Sequence, residues 1–274
     1  MGNKDEQIER ILRVESGKKV SLEDWDPDDT FGFKNKDAAK EMLEKNASRL
    51  AELQYLLYAE NKHAILLVLQ GMDGSGKDGT IRHVLSRMNP QGCKVTGFKA
   101  PSTEESDHDY LWRIHHAIPN KGEIGVFNRS HYEDVLVVRV HELVPKSIWS
   151  KRYDQINAFE KLLAENNVKI LKFFLHISKE RQKEKFLERL EDPKEHWKFN
   201  PDDLEKRKLW DQYMKANNDV LERCSTPWAP WFVIPADKKW FRDFAVSEIL
   251  IEALEGLDMK FPRSPVDLSK IKIE

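Results

Sequence analysis

Residues 64–84 read AILLVLQGMDGSGKDGTIRHV, an apolar run that stops at a glycine-rich turn and resumes as charged, helix-forming sequence. The run 64–70 carries no charge and is dominated by Ile, Leu and Val, which suits a strand covered on both faces. Gly71-Met72-Asp73-Gly74-Ser75-Gly76-Lys77 then follows the Walker A spacing, with Gly71 and Gly76-Lys77 in register. Glycines let the backbone curl so that N–H groups point inward, where a side chain would clash. The positive end of the following helix and Lys77 complete an anion site. Gly74, Ser75, Gly76, Asp78, Gly79 and Thr80 are therefore expected to bind phosphate. The loop departs from the pattern in two places. Asp78 stands where Ser or Thr would supply a magnesium-binding hydroxyl, and the nearest hydroxyl, Thr80, comes two residues later. Asp73 puts a carboxylate inside the loop, where it repels phosphates unless a cation intervenes. Asp73 is thus expected to hold Mg²⁺, directly or through water, or to act on the acceptor.

Strand and helix patterns alternate outward from this loop. KVTGFKA (94–100), IGVFN (124–128), KILKFFLHIS (169–178) and WFVIPA (231–236) read as further strands. Helical patterns cover 80–88, 107–117, 147–166, 179–190, 204–223 and 238–257. That order predicts an α/β three-layer P-loop kinase fold, a five-stranded parallel sheet with helices on both faces. In such sheets ligands bind at the carboxyl ends of the strands. Residues 1–60 form an N-terminal arm and an amphipathic helix, packed on a kinase domain at 61–258. A helical lid spans about 179–204, and 259–274 form a tail. The helix from Asp37 and the aromatics of WDPDDTFGF (25–33) suit either a subunit interface or packing on their own domain.

Composition narrows the function. Of 274 residues, 45 are Lys or Arg and 47 Asp or Glu, a formal net charge of −2, which argues against a nucleic-acid coat. The two cysteines, Cys93 and Cys224, fit neither a disulfide framework nor a metal-site spacing. The charged start MGNKDEQIER lacks a signal peptide's apolar stretch, and no apolar run is long enough to span a bilayer. A cytoplasmic protein without a membrane partner is expected.

Candidate site residues lie where strands end. Asn128 and Arg129 leave the third strand beside the loop, and Arg suits the spread charge of a transferring phosphoryl group. Glu133 and Asp134 suit a metal or a nucleotide, or alternatively complement a helix dipole. His131 reads as a packed, hydrogen-bonding histidine. In the lid, Arg189 and Lys198 are the preferred cations among many that form a solvated, salt-bridged face. Asp237, after the fifth strand, is a nucleotide contact or a helix N-cap.

Several blocks together resemble the polyphosphate kinase 2 family: QGMDGSGKDGTIRHV (70–84), FKAPSTEE (98–105), LWRIHHAIPNKGEIGVFNRSHYEDVLVVRVH (111–141), EDPKEHWKFNPDDL (191–204) and APWFVIPADKKWFR (229–242). The resemblance spans about 53–257. It implies a fold similar to thymidylate kinase and phosphate transfer between inorganic polyphosphate and a nucleotide, with Mg²⁺ or Mn²⁺. It makes Asp73 and Lys77 essential, sets Arg129 between phosphates, lines the chain-binding groove with Lys99 and Arg113, and puts Arg189 and Lys198 in the lid. Much of the family has Asp-Arg-Ser-Trp-Tyr where this chain has Asn128-Arg129-Ser130-His131-Tyr132, so the metal role of position 128 is open. The change also looks like the class III subgroup, which accepts both AMP and ADP. The expected partners are polyphosphate and adenine nucleotides, with guanine nucleotides left open, in a homo-oligomer, dimer or tetramer. The competing readings are an ATP-dependent nucleotide or nucleoside kinase, and a phosphate-binding P-loop protein without turnover.

Overall fold

The computed structural model describes residues 5–33 and 36–273. Its centre is a wholly parallel sheet of β1 (Ala64–Gln70), β2 (Cys93–Gly97), β3 (Ile124–Asn128), β4 (Val168–His176) and β5 (Trp231–Pro235). The spatial order is β2-β3-β1-β4-β5. β1 is buried along its whole length, as its unbroken apolar run requires. Leu69 stands level with Asn128 on one side and Phe173 on the other, so the central strands end together and release their loops along one edge.

Helices cover both faces. α1 (Asp5–Leu12) and α2 (Lys36–Glu60) precede the sheet, and α3 (Lys77–Val84) follows the phosphate loop. α4 (Thr103–Ser106) and α5 (Trp112–Ala117) lead into β3, while α6 (Glu133–Val140) and α7 (Lys146–Glu165) lead into β4. α8 (Lys179–Glu191), α9 (Asp202–Lys208) and α10 (Trp210–Cys224) lead into β5, and α11 (Lys239–Glu255) closes the layer. α2 packs along α11 through buried Leu50, Leu53 and Leu57. Burial of each leucine is worth about 1.5–3 kcal/mol.

Some expectations shift. The helix expected from Thr80 begins at Lys77, because Gly76 in the left-handed region starts it directly from the loop. Of the helix expected over 107–117 only α5 (Trp112–Ala117) forms, and a separate short helix, α4, precedes it, started by the capping box of Ser102 and Glu105. The helix expected over 204–223 divides at Leu209 into α9 and α10.

The arm is more ordered than its sequence suggests. Ile8 and Leu12 of α1 are buried, and the Val14 N–H donates to the Trp231 carbonyl at 2.9 Å, beside an antiparallel Arg13–Phe232 bridge. The arm thereby covers the otherwise unpaired edge of β5. Phe33 packs on Phe244 at 5.1 Å between centroids and Phe31 on Phe241 at 6.1 Å, so these aromatics serve their own domain. No helix among the described residues is long and apolar enough to cross a membrane.

Candidate phosphoryl-transfer site

The loop between β1 and α3 uses glycine where only glycine fits. Gly76 has φ +94°, and a Cβ there would stand 1.8 Å from Nη1 of Arg242. Gly71 has φ +148°, and its Cβ would meet the Leu175 carbonyl at 2.6 Å. Beneath the loop, buried Arg242 donates to the Ser75 carbonyl at 3.3 Å and to Asp243 at 2.9 Å. The Thr80 hydroxyl lies 3.3 Å from both Gly76 O and Asp243 Oδ1, so it faces this support. The Ser75 N–H closes a turn onto Met72 O at 3.0 Å, and its buried hydroxyl sits under Gly71 without a hydrogen-bond partner. The N–H groups of Lys77, Asp78 and Gly79, in the first turn of α3, have no intrahelical partner and are available to an anion.

Lys77 folds back on its own loop, its Nζ donating to Gly71 O at 2.8 Å and Met72 O at 3.3 Å. Burial pulls its ammonium below the ordinary lysine range, against the pull of Asp73. Asp73 Oδ1 accepts from Arg129 at 2.7 Å, and Oδ2 lies 3.3 Å from Lys206 Nζ. Burial alone would raise the Asp73 carboxyl, but Lys77, Arg129 and Lys206 together outweigh it and hold the group well below the usual carboxylate range. Four predicted or neighbouring charges thus meet at the mouth of the loop.

The exit of β3 supplies the other wall. Arg129 sits at φ +63°, a strained position for a non-glycine residue, with its N–H held by Leu69 O at 3.1 Å. That turn aims the guanidinium across β1 at Asp73. Asn128 donates to Asp78 at 2.6 Å, so the two residues that depart from the usual motifs depart as a pair. Half-buried Glu133 has its carboxyl raised by burial, opposed by Arg129 and Lys77. Asp134 turns the other way, to Arg152 at 3.0 Å, and burial raises its carboxyl against that pairing.

The α8–α9 segment reaches the loop through residues the sequence reading does not single out. Gln182 of α8 is buried and donates to the Asp73 carbonyl at 2.8 Å, while Arg207 of α9 donates to Gln182 at 3.0 Å. Lys206 bridges Asp73 and, at 3.7 Å, Asp203. Arg189 also meets Asp203, at 3.4 Å, and so lies one residue removed from the cluster. Lys198 pairs with Glu195 at 2.6 Å and lies over the exposed Trp197 ring, apart from Asp73. Lys206 falls two residues past the expected lid, in a run of charges (DDLEKRK) that reads as a solvated face.

Residues 33–262 match the family model Polyphosphate kinase 2 (PPK2). The chain belongs to the polyphosphate kinase 2 family. It is 51% identical to an AMP/ADP-polyphosphate phosphotransferase of Meiothermus ruber, over 96% of this chain and 98% of the relative. It is 46% identical to an ADP-polyphosphate phosphotransferase of Rhodopseudomonas palustris, over 92% of each. The crystal structure of polyphosphate kinase 2 from Arthrobacter aurescens TC1 superposes with a TM-score of 0.92 at 44% identity, covering 96% of this chain and 94% of that one.

In this polyphosphate kinase 2 chain two of the remaining predicted residues, Arg113 and Asp237, are committed to protein contacts. Arg113 donates to the Lys99 carbonyl at 2.9 Å and approaches Glu105 at 3.4 Å, while the Lys99 side chain is exposed. Asp237 accepts from the Ser178 N–H at 2.9 Å and its hydroxyl at 2.7 Å, tying the end of β5 to the start of α8. Behind Arg129 lies a buried network: Lys172 donates to Glu160 at 2.6 Å, Tyr132 at 2.8 Å and the Cys224 carbonyl at 2.6 Å. His131 contacts Glu160 at 3.2 Å, a packed role. A cavity of about 510 Å³, bordered by Tyr110, Ser147, Lys151 and Arg152, opens beside the Asp134–Arg152 pair.

Proposed function

We propose that this polyphosphate kinase 2 family member transfers the terminal phosphoryl group of inorganic polyphosphate to AMP and to ADP, reversibly. The observation that carries the reading is Asp73, a carboxylate inside a phosphate loop, kept ionised by Lys77, Arg129 and Lys206. Such a charge is useful there only if a cation and phosphates join it. Its two oxygens are hard donors suited to Mg²⁺ or Mn²⁺. Among the described residues no group of three His, Cys, Asp or Glu could hold a metal, which fits an ion that completes its shell with phosphates and water. When bound, the ion would neutralise charge on the transferring phosphoryl group.

The protein's own groups do the rest. Lys77 would exchange its two loop carbonyls for donor phosphate oxygens. Arg129 would bridge donor and acceptor phosphates from its place beside Asp73. The α9 cations would close over the pair and exclude water. An acceptor phosphate is already ionised at neutral pH, so no strong general base is needed. The cavity beside Arg152 suits the acceptor nucleotide, on the β3 side of the loop. Within this reading the enzyme is cytoplasmic and works as a homo-oligomer, dimer or tetramer.

The test is ATP appearance by luminescence with Mg²⁺ and polyphosphate, AMP or ADP being supplied in turn. ATP from both acceptors is expected. ATP from ADP alone removes AMP from the proposal, and consumption of ATP with no use of polyphosphate replaces it by a conventional kinase.

A further inference from the structure

Lys172 lies in the middle of β4, level with Val68 of β1 and Trp231 of β5, and its side chain is wholly enclosed. All three of its N–H donors are taken: by Glu160 of α7, by the Cys224 carbonyl at the end of α10, and by the Tyr132 hydroxyl just after β3. The Tyr132 hydroxyl donates in turn to Glu160 Oε1 at 2.8 Å, which closes a ring of three side chains. Burial and the Glu160 charge raise the Tyr132 phenol well above its ordinary value, so it keeps the proton it donates. Burial alone would raise the Glu160 carboxyl, but Lys172 and His131 outweigh it and hold the group below its ordinary value.

Such a pair adds little to stability, since desolvating two charges costs about what their attraction returns and apolar side chains of similar volume often serve as well. It supplies a fixed point instead. Hydrogen bonds of set length from β4 and α7 meet on one phenol oxygen, and the Tyr132 ring stands T-shaped on Trp231 at 4.8 Å between centroids. Tyr132 ends the turn that Arg129 begins. Arg129 is held at φ +63°, a conformation that persists only where its surroundings over-determine it. The near side of the turn is fastened to β1: Leu69 O accepts the Arg129 N–H, and Ser130 Oγ accepts from Gln70 at 3.0 Å and from the Tyr132 N–H at 3.2 Å. Tyr132 fastens the far side to β4 and α7, so the turn is clamped between β1 and β4.

We infer that Lys172 and Glu160 are positioning residues for phosphoryl transfer, holding the Arg129 guanidinium in place through Tyr132 and the turn 129–132. This inference rests on the polyphosphate reading and adds to it three residues that do not touch Asp73 or the phosphate loop. A guanidinium that must lie between two phosphates is sensitive to its placement, and an error of about 1 Å costs up to about 100-fold in rate. Because the network meets no substrate, its loss should appear in kcat and leave KM nearly unchanged. It should also depend on Arg129 being present, which a general support of the core would not.

The experiment measures kcat and KM for ATP formed from polyphosphate and ADP, with melting temperature in parallel. The variants are Tyr132→Phe and the double variant Lys172→Met, Glu160→Met, each made in the wild type and in Arg129→Ala, whose residual turnover is read over longer incubation. The double variant should melt within about 5 °C of wild type, because the pair leaves as a unit. Its kcat should nonetheless fall at least about tenfold, and that of Tyr132→Phe at least about threefold, with each KM changed less than about twofold. In Arg129→Ala the same changes should alter kcat less than about twofold, since the group they position is gone. Wild-type kcat in either variant overturns the inference, and Tyr132→Phe decides alone if the double variant does not fold. Equal losses with and without Arg129 would make the network a general support of the domain and overturn it too. Failure of the wild type to form ATP from any polyphosphate would instead overturn the function on which the inference rests.

Discussion

Gly76→Ala is the substitution whose cost the structure specifies most fully. The backbone there has φ +94°, where an L side chain costs about 1–2 kcal/mol. The new methyl would also stand 1.8 Å from Arg242 Nη1, so a buried guanidinium must move. Moving it breaks the 3.3 Å bond to the Ser75 carbonyl, a charge-assisted bond worth about 1.5–3 kcal/mol. The sum is about 2.5–5 kcal/mol, or a melting temperature lower by about 5–20 °C for a domain of this size. Displacement of the loop's N–H groups should further reduce kcat/KM at least about 100-fold. Thermal denaturation and initial rates read the two effects separately. In an Arg242→Met, Asp243→Asn background the ion pair is gone as a unit, and the same alanine should then cost only the backbone part, about 1–2 kcal/mol. The reasoning fails if the full cost persists in that background, or if Gly76→Ala is neutral in the wild type.

Lys206→Ala should raise the KM for donor about three- to tenfold, because it withdraws one of the three cations gathered on Asp73; a stability loss without a kinetic one contradicts the role given to α9. Lys172→Met leaves Glu160 buried without its main partner and should cost about 3–5 kcal/mol by denaturant unfolding, much of it recovered in a Lys172→Met, Glu160→Met double variant. Glu133 titrates above the ordinary value of 4.5, since burial disfavours its charge. Its folded form is therefore penalised as pH rises through that raised value, and the penalty is absent below 4.5. Glu133→Gln should thus melt higher than wild type at pH 7 and level with it near pH 4, and equal gains at both would refute the assignment.

The fold was largely legible because its signals are local. AILLVLQ and IGVFN coincide with β1 and β3, since apolar runs bounded by Gly, Asn and charge leave little freedom at their ends. Gly74, Gly76 and Lys77 follow from the loop's spacing and Asp73 from its place within it, because a phosphate loop constrains sequence over a few consecutive residues, whereas Arg129 is read from the charged exit of the third strand. What stayed hidden depends on tertiary placement. Lys206 and Arg207 look like any cations on a solvated helix until α9 folds back on Asp73. Arg242 reads as part of an amphipathic helix, and only the approach of α11 makes it the floor of the loop. Asp78 looked anomalous after Lys77, and its Asn128 partner sits fifty residues away. Helix α1 is short and charged, and its buried Ile8 and Leu12 find their partners only at the β5 edge.

The central claim is that polyphosphate donates at the Lys77–Asp73 loop. The most direct measurement follows ATP formed from polyphosphate and ADP by wild type, Lys77→Met and Asp73→Asn, with binding of a long polyphosphate measured in parallel. Both variants should lose at least about 1,000-fold in turnover, as expected when charge stabilisation at the transferring group is removed. Asp73→Asn should keep its hold on polyphosphate, because it removes a negative charge from the loop. ATP formation undiminished in either variant would place the chemistry elsewhere on the molecule and contradict the account.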